Sequence, residues 1–327
     1  MRIAIFVVLF LWVGIGYAQM MPDPDANTTV ANPAYKSKHP RIAIDQAHGN
    51  IHTKDGLFRP FAQLATNDGY EVVTNVKSFT KGSLQDIDVL VISNPLGNLS
   101  NDNNNFTPAF TQSECDAVYD WVQHGGSLFL IADHAPIGDA VQPLAQSFGA
   151  TLGNNFVFDT NPDNFTSDDV TQLVLSDHNH LLGASPIMQG RSESERLHRL
   201  VAFTGESVSI PKDATVLLIL SPTAGVVSRG SELQPMFDKD AAKAKTAREA
   251  ALKRAPAGAQ GMAVTFSPGK GRIVISGEAG MMTAQVFKDK QKDGSEKIVG
   301  AMGWEVPGND DRQYVLNILH WLSGALH

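Results

Sequence analysis

Cysteine is nearly missing from this chain. Cys115 is the only one in 327 residues, so no internal disulfide can form. It sits with Val118, Tyr119 and Val122 at helical spacing, which marks a core thiol rather than a nucleophile. A basic excess is missing as well: 26 Lys and Arg stand against 34 Asp and Glu, a formal charge of −8. Nucleic acid and anionic membrane surfaces both demand a basic face, so neither is expected as a partner. Beyond the first 18 residues no apolar run is long enough to cross a bilayer, which takes ~20 residues.

Familiar catalytic signatures are missing too. No Gly-x-Ser-x-Gly elbow and no His-Glu-x-x-His pair occurs. The segment Ser267-Pro268-Gly269-Lys270-Gly271-Arg272 lacks the Walker spacing and reads as a hairpin turn.

What is present begins with Arg2, the apolar stretch Ile3–Ile15 and the small-residue site Gly16-Tyr17-Ala18. That is the layout of a secretory signal, residues 1–18, which places the protein in the periplasm or outside the cell. Cleavage after Ala18 removes Arg2 and leaves 25 Lys and Arg against 34 acids, a charge of −9. Residues 19–40, rich in Pro, Asp, Asn and Lys, read as a flexible leader. Residues 41–327 read as one domain with insertions near 150–212 and 238–259. The second insertion is Ala, Lys and Arg with almost no large apolar residue, a solvated helix or mobile segment.

Strand and helix patterns alternate from Arg41 onward. Strands are expected at Ile42–Ile44, Tyr70–Val76, Val89–Ser93, Leu128–Ala132 and Val216–Leu220, with a late hairpin of Met262–Phe266 and Arg272–Ser276. Helices are expected at Phe58–Asn67, at Thr111–His124 and at Asp311–Ser323. Thr111 with Glu114 forms a capping box for the second of these. Between Gly97 and Asn105 lies an asparagine-rich exposed loop. The pattern implies an α/β fold with a mostly parallel sheet between helices and late antiparallel strands.

The chemistry concentrates where strands end. Ile42-Ala43-Ile44 runs into Asp45, His48, Asn50 and His52, and Leu128–Ala132 runs into Asp133-His134-Ala135-Pro136. Asn94 follows a third strand and Glu278, between glycines, a fourth. Ligands of open α/β sheets bind outside the carboxyl ends of the strands, so these residues are expected to share one pocket. Asp45, His48 and His52 have the donor types of a zinc or manganese site. Asp133, His134 and Glu278 are the candidate acid–base groups, and Asn50, Asn94 and His180 the candidate substrate contacts. The alternative is that these side chains only brace loops through mutual hydrogen bonds.

Asp45-Gln46-Ala47-His48-Gly49-Asn50, Asp133-His134-Ala135-Pro136, Phe203-Thr204-Gly205, Gly277-Glu278-Ala279 and the closing Asn317-Ile318-Leu319-His320-Trp321-Leu322 together resemble an uncharacterised bacterial family. It belongs to the class I glutamine amidotransferase-like superfamily, beside the trehalose-utilisation-type and gliding-motility-type domains. The resemblance spans most of residues 41–323 and implies a flavodoxin-like sheet. True amidotransferases carry a cysteine in a sharp turn after a central strand. The comparable turn here is taken as Ser93-Asn94-Pro95-Leu96-Gly97, which has none, so cysteine-dependent glutamine hydrolysis is not expected.

Two functions follow as expectations. One is an exported hydrolase acting on a small polar or carbohydrate-derived substrate, with a metal-held water. The other is a non-catalytic cell-envelope module that binds a sugar or peptide in the same pocket.

Overall fold

The computed structural model describes residues 19–97, 107–166, 169–291 and 293–327. The expected signal segment and most of the asparagine-rich loop lie outside the described residues. A mixed α/β architecture is built on one seven-stranded sheet. In chain order its strands are β1 (Arg41–Asp45), β2 (Glu71–Asn75), β3 (Val89–Ser93), β4 (Ser127–Ile131), β5 (Thr215–Ile219), β6 (Gly261–Phe266) and β7 (Arg272–Ser276). Their spatial order is β5-β6-β7-β4-β3-β1-β2. The neighbours from β2 to β7 are all parallel, and β6 runs antiparallel to both β7 and β5.

Each face of the sheet is covered. Ile42, Ile44, Val91, Phe129 and Ile131 pack beneath α1 (Arg59–Asn67) and the C-terminal helix Asp311–Ser323. Ala43, Leu90, Ile92, Leu128 and Leu130 point the other way, under α2 (Gln112–Gln123) and α3 (Ile137–Ser147). Double-sided burial explains why these strands read as continuous apolar runs. The capping box of α2 forms as read, with Glu114 N–H donating to the Thr111 hydroxyl and Thr111 N–H donating to Glu114. The late hairpin forms as well, Ala263 to Phe266 facing Ser276 to Ile273. Cys115 is fully buried, and burial pushes its thiol up to about 11.

Two segments differ from the sequence reading, and a third takes one of its two expected forms. Residues 19–40 form a packed strap. Gln19–Pro22 pairs antiparallel with the strand Ala284–Lys290. Asn67 Nδ2 donates to the Thr28 carbonyl at 2.8 Å, Ala34 N–H donates to Asp68 Oδ1 at 2.8 Å, and the Tyr35 ring meets Tyr70 edge-on at 5.1 Å. Composition missed this because the strap's partners lie far along the chain. Within residues 150–212 the chain folds into strands Phe156–Asp159, Asp169–Ser176 and Arg199–Phe203, the last two paired antiparallel. The polar character of that stretch has a use: Asp159 is buried and accepts from Asn161, Asn164, Ser221 and Thr223. The Ala/Lys insertion is helix α4 (Ala241–Arg254), capped by Asp240, with Ala244 and Ala251 its buried residues. Among the described residues no helix is long and apolar enough to cross a membrane.

Candidate functional site

Parallel pairing brings the strand ends side by side: Ile44 faces Val91, Ser93 faces Ile131, and Ile131 faces Ser276. Asp45, Asn94, Asp133 and Glu278 therefore leave one edge of the sheet. They sort into two separate clusters there.

The first cluster surrounds His48. Its Nδ1 lies 2.8 Å from Asp45 Oδ2 and its Nε2 2.9 Å from Glu114 Oε1. The ring packs against Phe79 and Phe110, tilted to both, at centroid distances of 4.6 and 4.7 Å. Burial favours the neutral imidazole, but hydrogen bonds and charge from Asp45 and Glu114 outweigh it and raise the pKa above 6.5. Glu114 is desolvated too, yet His48 and Thr111 hold its carboxyl down to about 2. A carboxyl oxygen stands at each ring nitrogen, a geometry that suits an imidazole donating from both. Sequence reasoning found Glu114 only as a helix cap.

His52 does not join it. In a strand, alternate residues face opposite sides, so Asp45 follows Ala43 toward α2 and α3, while Ser93 follows Val91 toward α1. His52 Nδ1 lies 2.8 Å from Ser93 Oγ, and its ring stacks on Phe58 at 4.8 Å. Burial lowers its pKa to about 3 and keeps it neutral. The expected metal set thus divides across the two faces of the sheet. Both nitrogens of His48 already serve carboxylates, and Asp45 Oδ1 accepts from Asn75 at 2.9 Å. These residues do not fit a zinc or manganese centre, and among the described residues no group of three His, Cys, Asp or Glu is arranged to hold a metal.

The expected substrate contacts are stitches or lie elsewhere. Asn94 adopts the left-handed region, φ 46°, where asparagine is tolerated, and its Oδ1 accepts Asp133 N–H at 2.8 Å. Asn50 accepts His48 N–H at 3.2 Å and donates to the Ser93 carbonyl at 3.3 Å. His180 is exposed in a turn before Leu182, which pairs with β5. Four strand steps separate that position from β4, about 19 Å at the usual spacing.

The second cluster crowns β4, the middle strand of the seven, where the chain turns sharply into α3. That turn carries Asp133 and lies one strand over from the Ser93–Gly97 turn after β3. Asp133 is half-buried, while Glu206 and Glu278 behind it are fully buried. Burial raises the Asp133 carboxyl, partly offset by His134, whose N–H donates to Asp133 Oδ1 at 2.8 Å. His134 stacks on Phe156 at 4.5 Å and donates Nδ1–H to the Ala135 carbonyl at 3.0 Å.

Glu278 takes Gly280 N–H at 2.6 Å on one oxygen and Met281 N–H at 2.8 Å on the other. Desolvation, then repulsion from Asp133, nevertheless raises its pKa well above the ordinary carboxyl range. Glu206 is raised in the same way, by burial first and then by Asp133 and Asp139. No sequence motif flagged Glu206, although Phe203-Thr204-Gly205 immediately before it did stand out.

No protein family matches the sequence, and neither does any curated protein. Solved structures do match in fold. The mmIFT52 N-terminal domain superposes with a TM-score of 0.55 at 13% identity, over 86% of this chain and 97% of that one. A putative ThuA-like protein from Bacteroides uniformis gives 0.40 at 14% identity, over 92% and 95% of the two chains. A putative GMP synthase component from Thermoplasma acidophilum gives 0.40 at 12%, over 88% and 96%. At such identities the likeness to the first is one of fold alone.

Proposed function

We propose that this chain is an exported, hydrolase-like enzyme of the amidotransferase-like superfamily whose working group is Asp133. The order β2-β1-β3-β4-β7 is that of flavodoxin-like sheets, whose ligands sit at the carboxyl edge, and this supports placing the site there. One observation carries the reading. Asp133 is a half-buried acid, at the strand-to-helix turn after β4, backed by two fully buried carboxyls with no cation among the groups that shift them. Isolated acids in such a setting cost stability, and strongly perturbed groups of this kind concentrate at functional sites. Asp133 would take a proton from water as the water oxygen attacks an ester, amide or glycosidic carbon of a small polar substrate. The bond to the leaving group breaks, and solvent protonates that group.

The test is a panel of p-nitrophenyl esters and glycosides, assayed with the purified full chain and with Asp133→Asn. General-base loss typically costs ~10²–10⁴ in rate, so the variant should drop into that range on any substrate the native chain turns over. Equal turnover by both proteins would overturn the assignment.

The second reading is a binding module that holds its ligand at the same sheet edge without turning it over; the inward pairing of Asn50, Asn94, His48 and His52 leaves few groups free for catalysis. It expects no turnover, with saturable sugar or peptide binding that Asp133→Asn weakens.

A further inference from the structure

The geometry points to Glu206, and not Glu278, as the second working carboxyl of this site: a positioning residue that holds a proton so that Asp133 is the ionised partner. The inference rests on the assignment of Asp133 above. Its ground is a difference in hydrogen bonding between two equally buried side chains. Glu278 has a backbone N–H on each oxygen and caps its own turn. Glu206 has one N–H, from Asn154 at 2.5 Å on Oε2, while its Oε1 is enclosed without a partner. A buried carboxylate with a bare oxygen forfeits the full desolvation cost, whereas a carboxylic acid there does not.

Small residues make room for it. A Cβ on Gly138, in the first turn of α3, would stand 2.7 Å from Glu206 Oε1 and closer still to Oε2. On the far side Gly205, at φ +69°, lets the chain pass over Glu278, where a Cβ would meet the Gly277 carbonyl at 2.7 Å. Glu206 N–H donates to that same carbonyl at 2.6 Å. Two glycines thus seat a carboxyl between the start of α3 and the turn after β7. The ionisable groups around it are Asp133 from the turn after β4, Asp139 from α3 and, beyond Gly205, Glu278. The charges that act on it most are the acids Asp133 and Asp139, and both favour its neutral form. When two carboxyls are coupled in this way, the more enclosed one keeps the proton and the more open one ionises.

The experiment is a pH titration of the full chain carrying ¹³C at the Glu side-chain carboxyl, with Glu206→Gln used to assign the signal. Glu206 should be protonated at neutral pH, and Asp133→Asn should move its midpoint to lower pH by removing the repulsion. On a hydrolysed p-nitrophenyl substrate, the native rate should change as Glu206 ionises on the alkaline limb, and that change should vanish in Glu206→Gln. It should shift in Gly138→Ala, which keeps a good helix residue but pushes on the carboxyl. A Glu206 signal titrating in the ordinary Glu range, or an unchanged alkaline limb in Glu206→Gln, overturns the inference. If no probe is hydrolysed the enzymatic reading fails, and the titration alone decides the state of Glu206.

Discussion

His48 Nε2 and Glu114 Oε1, 66 residues apart in sequence, meet at 2.9 Å beside the rings of Phe79 and Phe110. One contact joins the loop after β1 to the first turn of α2, so the carboxyl edge of the sheet is braced before any ligand arrives. Removing Glu114 leaves His48 Nε2 buried without its acceptor, although Nδ1 keeps Asp45, and a buried polar group left short of a partner typically costs about 1–3 kcal/mol. Glu114→Ala loses the helix cap too, about 1 kcal/mol more. Thermal unfolding should show a large loss for Glu114→Ala and a smaller one for Thr111→Ala, which touches only the cap.

The same cluster gives stability a pH signature on both sides. His48 has its folded pKa raised above 6.5, so its contribution is complete below the unfolded value and fades as pH rises through the folded one. Glu114 is lowered to about 2, so its contribution is present above the unfolded value near 4.5 and fades as pH falls toward about 2. Urea unfolding across pH should show both losses, and His48→Gln should abolish the alkaline one from this pair.

Much of this framework is legible in sequence because it is local. Apolar runs of four or five residues, a Thr-x-x-Glu box and a Ser-Pro-Gly-Lys-Gly turn each specify their own element, and those elements appear where read. The carboxyl-edge residues were legible as a set for the same reason: each ends a strand. What a strand end does not reveal is the face. A shift of one residue moves a side chain across the sheet, and that separates His52 from Asp45 and His48. Nor does local spacing reveal long-range partners. Glu206 approaches Asp133 only because the segment after Phe203 crosses the ends of β6 and β7, and the strap reaches Asp68 and Arg312 only through the fold.

The strap provides a third expectation. Asp68 Oδ2 lies 2.7 Å from His320 Nε2, both fully buried, while Asp68 Oδ1 accepts the strap's Ala34 N–H. Asp68→Asn disturbs the buried hydrogen bond to His320 Nε2 and weakens the anchor. A loss of about 1–3 kcal/mol is expected. Limited proteolysis should then cut among residues 23–36 far faster than in the native chain.

Gly205 tests the crossing directly. Its φ of +69° is strained for any residue with a Cβ, and the added atom would press on the Gly277 carbonyl at 2.7 Å. Gly205→Ala should therefore cost more than about 1 kcal/mol in urea unfolding. A neutral result would show that the segment can shift without loss, and with it the seat of Glu206.

Asp311 reverses the usual expectation for a carboxylate at the start of a helix. It is fully buried, and burial first and then repulsion from Asp310 raise its pKa well above 3.8. Its Oδ1 accepts Val201 N–H at 3.0 Å and its Oδ2 has no partner. A raised acid stabilises the fold when protonated, below the unfolded value, and loses that contribution as pH rises through the folded one. Asparagine keeps the acceptor for Val201 and never ionises. Asp311→Asn should thus match or exceed native stability at neutral and alkaline pH and flatten the fall in stability with rising pH. Loss of stability at alkaline pH would mean instead that the ionised form is the one the helix N-terminus holds, with its dipole outweighing desolvation.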